Sequence, residues 1–253
     1  MIGECVQYFK QNCPKLYNIL KRNALLHYLY YLPSKMYMNG RKKAIQLHGY
    51  DVIEMVYRIS KELKIDIWID GGTLLGYVRE GELLKHDYDI DFGAYSLHET
   101  DRERLIKELE NNGCTLVRGV SDKKIQYSDS FEYIGAMFDL NYYFPSGDRY
   151  YYYIHDVNVE HGSKVIKKKC KNFKMTHIQG YDRYKCIYRD NGVKKGEFSN
   201  GCPCIIPHNP IKRIEEIYGM DWRIPIVQNY DWRKDSIVQY LGFFEDLTGW
   251  IIK

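Results

Sequence analysis

Three aspartates occupy alternate positions in the segment DYDIDF, residues 87–92. On a β-strand, alternate side chains project from the same face, so the spacing predicts that Asp87, Asp89 and Asp91 lie side by side. Three carboxylates on one face repel one another unless a cation lies among them. Such oxygen ligands suit Mg²⁺ or Mn²⁺, which proteins usually hold with a few carboxylates and substrate phosphates. The aspartates by themselves leave two interpretations open, a divalent-cation site or a solvated acidic strand end.

Two further segments are candidates to complete such a site. Gly71-Gly72-Thr73 follows an apolar strand, and we expect Thr73 to cap a helix that begins there. Glycine lets a phosphate approach the backbone, and free N–H groups at a helix N-terminus favour an anion. Asp139 is the single acid in the apolar segment 136–140, and its burial would require a partner such as a metal ion. Ordinary turns and exposed strand edges also have these features.

Two basic residues flank the aspartates, and both are candidate phosphate contacts. Arg79 lies before them and Lys85 directly precedes His86-Asp87. Each is equally compatible with a solvated turn. The segment Cys202-Pro203-Cys204 resembles half of a zinc site, but zinc usually takes four ligands and no second pair stands at a suitable spacing, so we predict no zinc here.

The elements that must position these residues follow from hydrophobic periodicity. Val52, Val56, Ile59 and Leu63 step by four, three and four residues, which predicts a helix over 44–64. Ile65, Ile67 and Ile69 then alternate with Asp66, Trp68 and Asp70, as in a strand. A loop is expected over 33–40. Further helices are expected after Thr73, from about 96–100 to 113, and from the Asn209 cap to Gly219. In the last of these we expect Ile211, Ile214 and Tyr218 to be buried. Strands are expected at 87–93, 114–118, 124–128 and 135–143, and in hairpins within 149–190.

These motifs together resemble the LicD family, which includes fukutin and the fukutin-related protein. The residues that carry the resemblance are Gly71-Gly72-Thr73-Leu74-Leu75-Gly76, Val78-Arg79, the run from Asp87 to Gly93, Ile125-Gln126-Tyr127-Ser128 with Phe138-Asp139-Leu140, and Pro207-His208-Asn209-Pro210 with Tyr218-Gly219. The resemblance extends over about residues 48–226. The chain has Leu84-Lys85-His86 where the family usually has Ile-Pro-Trp.

The resemblance implies an α/β (α+β) nucleotidyltransferase-like mixed sheet flanked by helices. It also implies an enzyme that moves phosphocholine or a phospho-alditol from a CDP-activated donor to a glycan hydroxyl and releases CMP. Asp89, Asp91 and Asp139 would then be catalytic and hold Mg²⁺ or Mn²⁺, with Asp139 either a ligand or the proton acceptor. The donor would contact the substrate-binding set, which comprises Gly71, Gly72, Thr73, Arg79, Lys85 and Asp87.

Two alternatives remain open at this point. The same fold supports transfer of a nucleoside monophosphate from a nucleoside triphosphate, which releases pyrophosphate instead of CMP. It also supports a non-catalytic domain that binds a glycan or a nucleotide. Three acids around one metal favour an enzyme, because binding alone would not require them.

Composition excludes several other classes of protein. The 253 residues carry a formal net charge of +4, yet residues 1–43 hold eight basic groups and one acid, so the remainder is net acidic. A nucleic-acid groove on the main domain is therefore not expected. No run of 18 apolar residues occurs, which argues against a membrane-spanning helix. The seven cysteines are irregularly spaced, as in a reduced, cytoplasmic protein.

We divide the chain into a basic, helical segment over 1–43, a LicD-like domain over 44–226, and a tail over 227–253 that we expect to be helical and packed on the domain. For residues 1–43 two alternatives stay open. The helix either packs on the core with a solvated basic face, or lies peripherally on an anionic membrane where a lipid-linked glycan acceptor would be found.

Overall fold

The computed structural model describes residues 24–122, 124–169, 174–189, 192–225, 232–235 and 237–252. Its four helices are α1 (Ala24–Leu63), α2 (Gly71–Glu80), α3 (Glu99–Asn111) and α4 (Pro210–Tyr218). Its strands are β1 (Ile67–Ile69), β2 (Ile90–Tyr95), β3 (Thr115–Ser121), β4 (Gln126–Tyr133), β5 (Ala136–Ser146), β6 (Arg149–Asp156), β7 (Lys164–Lys169), β8 (Lys174–Arg189), β9 (Val193–Glu197), β10 (Pro203–Pro207) and β11 (Val238–Ile252). A short 3₁₀ turn covers Trp232–Lys234.

Nine of these strands form one mixed sheet in the order β1-β2-β5-β4-β3-β11-β8-β6, with β7 paired to β8. The pair β2–β5 is parallel, and the remaining pairs are antiparallel. Because β6 pairs with the end of β5 as well as with β8, the sheet curls back on itself. Strands β9 and β10 form a separate ribbon. The expected mixed sheet with flanking helices is confirmed.

One face of the sheet packs against the helices and forms the main core. Ile90, Phe92 and Phe138 from β2 and β5 are almost fully buried in the same cluster as Ile53 and Leu105 of the helices. Successive strand residues alternate between faces, so Asp91 and Asp139, which lie between these apolar residues, project from the opposite face. The alternation that builds the core therefore also positions the candidate site.

The helix predicted over 44–64 is the second half of a longer element. Helix α1 continues through Pro33 and Gly40, where the sequence predicts a loop, and that prediction is wrong. A proline removes a single backbone hydrogen bond, which a long helix can tolerate, and a side chain at Gly40 would meet nothing within 4 Å.

Most of the basic segment over 1–43 lies outside the described residues, so membrane association stays a prediction. The described helices include none that is long and apolar enough to cross a membrane.

Two other expectations are corrected. The tail over 227–253 is expected to be helical, but most of its described residues form β11, which pairs with β3 and β8 in the middle of the sheet and buries Leu247 and Ile251. The predicted helix at 209–219 forms, with Asn209 accepting a hydrogen bond from the Lys212 N–H and Pro210 in the first turn. However, it buries Arg213, Ile214 and Ile217 and leaves Ile211 exposed. An arginine faces inward there because it has a buried acidic partner, described below.

Candidate functional site

The acidic site is built on the parallel pair β2–β5. Asp91 and Asp139 are directly paired in the register of the two strands, so their side chains project from the same face as neighbours. Ser130 of β4 lies opposite Asp139 on the next strand. The strand is shorter than the sequence predicts, because β2 begins only at Ile90. Asp87 and Asp89 therefore lie in the turn that precedes the strand, and strand alternation is not what brings them to the site.

The glycine turn contacts Asp91 directly. The Gly72 N–H donates a 2.9 Å hydrogen bond to Asp91 Oδ2, and the Asp91 N–H donates one of the same length to Thr73 Oγ1. Gly71 has φ +51°, and a Cβ at that position would lie 2.5 Å from Asp91 Oδ2. Only glycine combines this backbone conformation with so close an approach. The Gly72 N–H thus serves the protein's own carboxylate.

Thr73 does not cap the helix as expected. The N-cap position of α2 is Asp70, which makes no side-chain capping bond. Thr73 is a fully buried residue of the first turn, and its hydroxyl accepts the Asp91 N–H. Its role is to fix the start of β2 against α2.

Each of the outer aspartates has a different partner. Asp89 pairs with Arg41 of α1, with 3.4 Å between Asp89 Oδ2 and Arg41 Nη2. Asp139 pairs with Arg118 of β3 at 2.9 Å, and the same guanidinium donates to Ser130. Among the residues that the structure describes, Asp87 Oδ2 is buried and has no hydrogen-bond partner. The periodicity of the sequence does not reveal either arginine, because both come from elements far from the DYDIDF run.

Electrostatics join the aspartates into one unit. Burial raises the pKa of Asp87 to about 7, and the Asp89 carboxylate adds to the shift. Burial, followed by Asp139, raises the pKa of Asp89 to about 6. The pKa of Asp91 lies well above its ordinary value because of burial and then of Asp89 and Asp139. The site therefore holds more negative charge than Arg41 and Arg118 compensate.

The donor set fits a hard divalent cation in its chemistry. It consists of carboxylate oxygens, one of them the buried Asp87 Oδ2, and a cation would offset both the burial and the mutual repulsion that raise the pKa values of these groups. As the side chains stand, the described residues contain no group of three or more His, Cys, Asp or Glu side chains arranged to hold a metal ion. Two of the carboxylates are turned towards arginines instead.

The two flanking basic residues are placed differently. Arg79 donates to its neighbour Glu80 at 2.9 Å, and its charge lowers the pKa of Asp87. Arg79 is therefore within electrostatic reach of the site. Lys85 is exposed, and its carbonyl accepts a hydrogen bond from the side chain of Gln46. In the part of the chain that the structure describes, no ion pair joins Lys85 to the aspartates.

A buried network beside the acids was not anticipated from the sequence. Arg213 of α4 donates to both carboxylate oxygens of Asp70, at 3.1 Å and 2.7 Å, and to the Tyr143 hydroxyl at 2.6 Å. Tyr143 in turn donates to Asp70. Burial alone would raise the pKa of Asp70, but the Arg213 guanidinium holds it below its ordinary value. The only signal in the sequence is that Asp70 directly precedes the paired glycines.

Comparison with known proteins identifies the family of this region. Residues 64–187 match the family model for the LicD/FKTN/FKRP nucleotidyltransferase domain, which confirms the resemblance for the motifs between Gly71 and Leu140. The motifs at 207–219 lie outside the match. Uncharacterized proteins of Rickettsia prowazekii and Rickettsia typhi are 30% identical over 82 residues and 29% identical over 79 residues. These segments are 32% and 31% of this chain but only 30% and 25% of the two relatives. The chain thus spans less than a third of either relative.

Two solved structures are similar to part of this chain. ANT(2")-Ia in complex with adenylyl-2"-tobramycin has a TM-score of 0.32 and 19% identity, over 40% of this chain and 53% of its own. The Megavirus polyadenylate synthase has a TM-score of 0.26 and 19% identity, over 50% of this chain and 26% of its own. Both likenesses are partial, and the family assignment rests on the match over residues 64–187.

Proposed function

We propose that this chain, whose residues 64–187 belong to the LicD family, is a metal-dependent phosphotransferase. It would move a phospho-substituent, phosphocholine or a phospho-alditol, from a CDP-activated donor to a glycan hydroxyl and release CMP. The observation that carries the proposal is the in-register pair Asp91–Asp139 on adjacent parallel strands, with Asp89 electrostatically coupled to both.

The metal is part of the proposal. Asp89, Asp91 and Asp139 would hold Mg²⁺ or Mn²⁺, with Asp87 close by. When bound, the ion would neutralise charge on the donor phosphates and on the carboxylates. Binding would require Asp89 and Asp139 to turn from their arginines, and Arg41 and Arg118 would then contact the phosphates. Arginine suits this task because its planar group bonds two phosphate oxygens at once.

The chemistry expected of the chain is mostly positioning and charge compensation. The acceptor oxygen would form a bond to the donor's outer phosphorus, and the bond from that phosphorus to the oxygen of CMP would break. The proton of the acceptor hydroxyl would move to a carboxylate oxygen. Asp139 suits this role because 21% of its side chain is exposed, so an acceptor can reach it. Its alternative role as a metal ligand stays open.

The test is product analysis with purified full-length protein. CDP-choline, CDP-glycerol and CDP-ribitol would each be incubated with a glycan extract, with Mg²⁺ or EDTA, and CMP would be measured by chromatography. Asp91→Asn and Asp139→Asn should each lower CMP formation by about 100-fold or more. Asp148→Asn, which removes an exposed aspartate in the β5–β6 turn, is the matched control and should keep wild-type turnover.

Three results would contradict the proposal. Pyrophosphate released from CTP without CMP from any CDP compound would identify the nucleotidyltransferase alternative. Binding of these compounds without turnover in any condition would favour a non-catalytic domain. Unchanged turnover in folded Asp91→Asn protein would remove the aspartates from the mechanism.

A further inference from the structure

A cleft opens on the same face of the sheet as the aspartates. It spans about 490 Å³, part of it open to solvent, and its lining comes from β1, β2, β5, β6, β8, β9, β10 and α4. Its lining includes the aromatic rings of Trp68, Tyr95 and Tyr150 and the cationic side chains of Arg189, Lys212 and Arg213. These residues have no role in the proposed metal and donor site. Only the Asp70–Arg213 pair lies beside that site.

The strand register connects the cleft to the acidic site. Asp91, Gly93 and Tyr95 alternate along β2 and project from one face, and Trp68 of β1 is paired with Gly93. A rise of about 3.3 Å per residue puts Gly93 about 7 Å and Tyr95 about 13 Å from Asp91. A Cβ at Gly93 would lie 2.5 Å from the Trp68 ring. The missing side chain at Gly93 therefore leaves room for the Trp68 ring beside β2, at the position between Asp91 and Tyr95.

The rings form a continuous surface suited to a ring-shaped ligand. Trp68 and Tyr95 have ring centroids 5.0 Å apart, and Tyr95 and Tyr150 have centroids 4.8 Å apart. Trp68 is almost fully buried, whereas Tyr95 and Tyr150 are half-buried and present accessible surface. Ligand pockets commonly combine such apolar walls with a few polar groups that fix orientation.

The charge of the cleft selects the kind of ligand. Arg213 is neutralised by Asp70, but among the described residues neither Arg189 nor Lys212 forms an ion pair. Among the described residues of the lining, Glu216 is the one acid, so their net charge is positive. Aromatic walls can also bind a quaternary ammonium group. Here the Arg213 guanidinium already covers the Tyr188 ring, 3.1 Å from its centroid, and Arg189 and Lys212 of the lining would repel a second cation.

We propose that this cleft binds the acceptor, and that the acceptor is an anionic saccharide, a sugar ring that carries a phosphate or carboxylate group. The sugar ring would pack on Tyr95 and Tyr150, and its anionic group would contact Arg189 and Lys212. The role of this saccharide as the acceptor rests on the proposed function, because it requires transfer at Asp91 and Asp139. The binding of the saccharide in the cleft does not depend on that function.

The experiment measures binding by isothermal titration of the full chain, in EDTA and without donor. The probes are glucose 6-phosphate, glucuronate, glucose, inorganic phosphate and CMP. Glucose 6-phosphate or glucuronate should bind at least 10-fold more tightly than both glucose and inorganic phosphate. Arg189→Gln and Lys212→Gln should each weaken this binding about 10-fold. Lys194→Gln changes the same charge at an exposed position of β9 outside the cleft lining, and it should change nothing.

A second variant tests the rings separately from the charge. Tyr150→Leu should weaken the binding of glucose 6-phosphate and leave that of inorganic phosphate unchanged. Three results would overturn the inference: equal affinity for inorganic phosphate and glucose 6-phosphate, no binding of either charged sugar, or CMP binding that Arg189→Gln abolishes. Because no donor or metal is present, these results leave the proposed function standing. Conversely, loss of CMP release in the transfer assay would leave the saccharide site standing.

Discussion

Removing the charge of Asp87 should stabilise the metal-free protein at neutral and basic pH. Burial and the nearby Asp89 carboxylate raise the pKa of Asp87 from 3.8 to about 7, and its Oδ2 has no hydrogen-bond partner. The folded protein therefore holds this proton more tightly than the unfolded chain does. Below pH 3.8 Asp87 is protonated in both states, so it does not change the free energy of unfolding. Between pH 3.8 and about 7 only the unfolded chain loses the proton, so the free energy of unfolding falls as the pH rises. Above pH 7 this loss of stability is complete.

The size of the effect follows from the shift. About three pKa units correspond to about 4 kcal/mol. Because water reaches part of the side chain and screens its charge, we expect ionised Asp87 to lower the measured free energy of unfolding by about 1–3 kcal/mol. Asp87→Asn keeps the shape and removes the charge, so it should recover that amount at pH 8 and much less at pH 4.5. In a chain of this size each kcal/mol moves Tm by about 2–4 °C.

The assay is urea unfolding in EDTA at pH 4.5 and pH 8, followed by circular dichroism. Asp148→Asn provides the matched control, because it removes an exposed carboxylate in the β5–β6 turn. Adding Mg²⁺ at pH 8 should stabilise the wild-type protein and should narrow its difference from Asp87→Asn. If Asp87→Asn changes stability equally at both pH values, or lowers it at pH 8, the electrostatic account of this site is wrong.

Three further variants test other parts of the structure. Arg213→Met should leave the Asp70 carboxylate buried without its counter-charge and lower the free energy of unfolding by about 3–5 kcal/mol in a urea titration. Asp70→Asn should cost a similar amount, because the Arg213 guanidinium then stays buried without its own counter-charge. Gly71→Ala should lower both stability and CMP formation, because its Cβ would meet Asp91, whereas Gly147→Ala has a similar positive φ with nothing within 4 Å and should cost only about 1–2 kcal/mol of backbone strain. Arg41→Gln removes the guanidinium that lowers the pKa of its carboxylate partner, so the acidic limb of the pH–activity profile should move to higher pH.

Local patterns in the sequence determined much of the candidate site. Alternation around Asp91 and around Asp139 placed each of them opposite a buried apolar face, and the structure confirms this because hydrophobic burial fixes which face a strand residue takes. The helix after the paired glycines and the helix capped by Asn209 were also predictable, since caps and turns act through neighbouring residues. The family resemblance and the mixed sheet followed from the same local motifs.

Contacts between distant segments could be decided only by the tertiary structure. Arg41, Arg118 and Arg213 reach aspartates that are 48, 21 and 143 residues away along the chain, and no periodicity encodes such a pairing.

Strand β11 shows the same limit in the backbone. Its segment forms a strand because its backbone pairs with β3 on one side and with β8 on the other, although both strands lie far from it in sequence. Periodicity reports which side of an element is buried, because burial repeats with the geometry of that element. It does not report which element does the burying. That choice depends on the packing of the whole chain, and it decides which charges meet at the site.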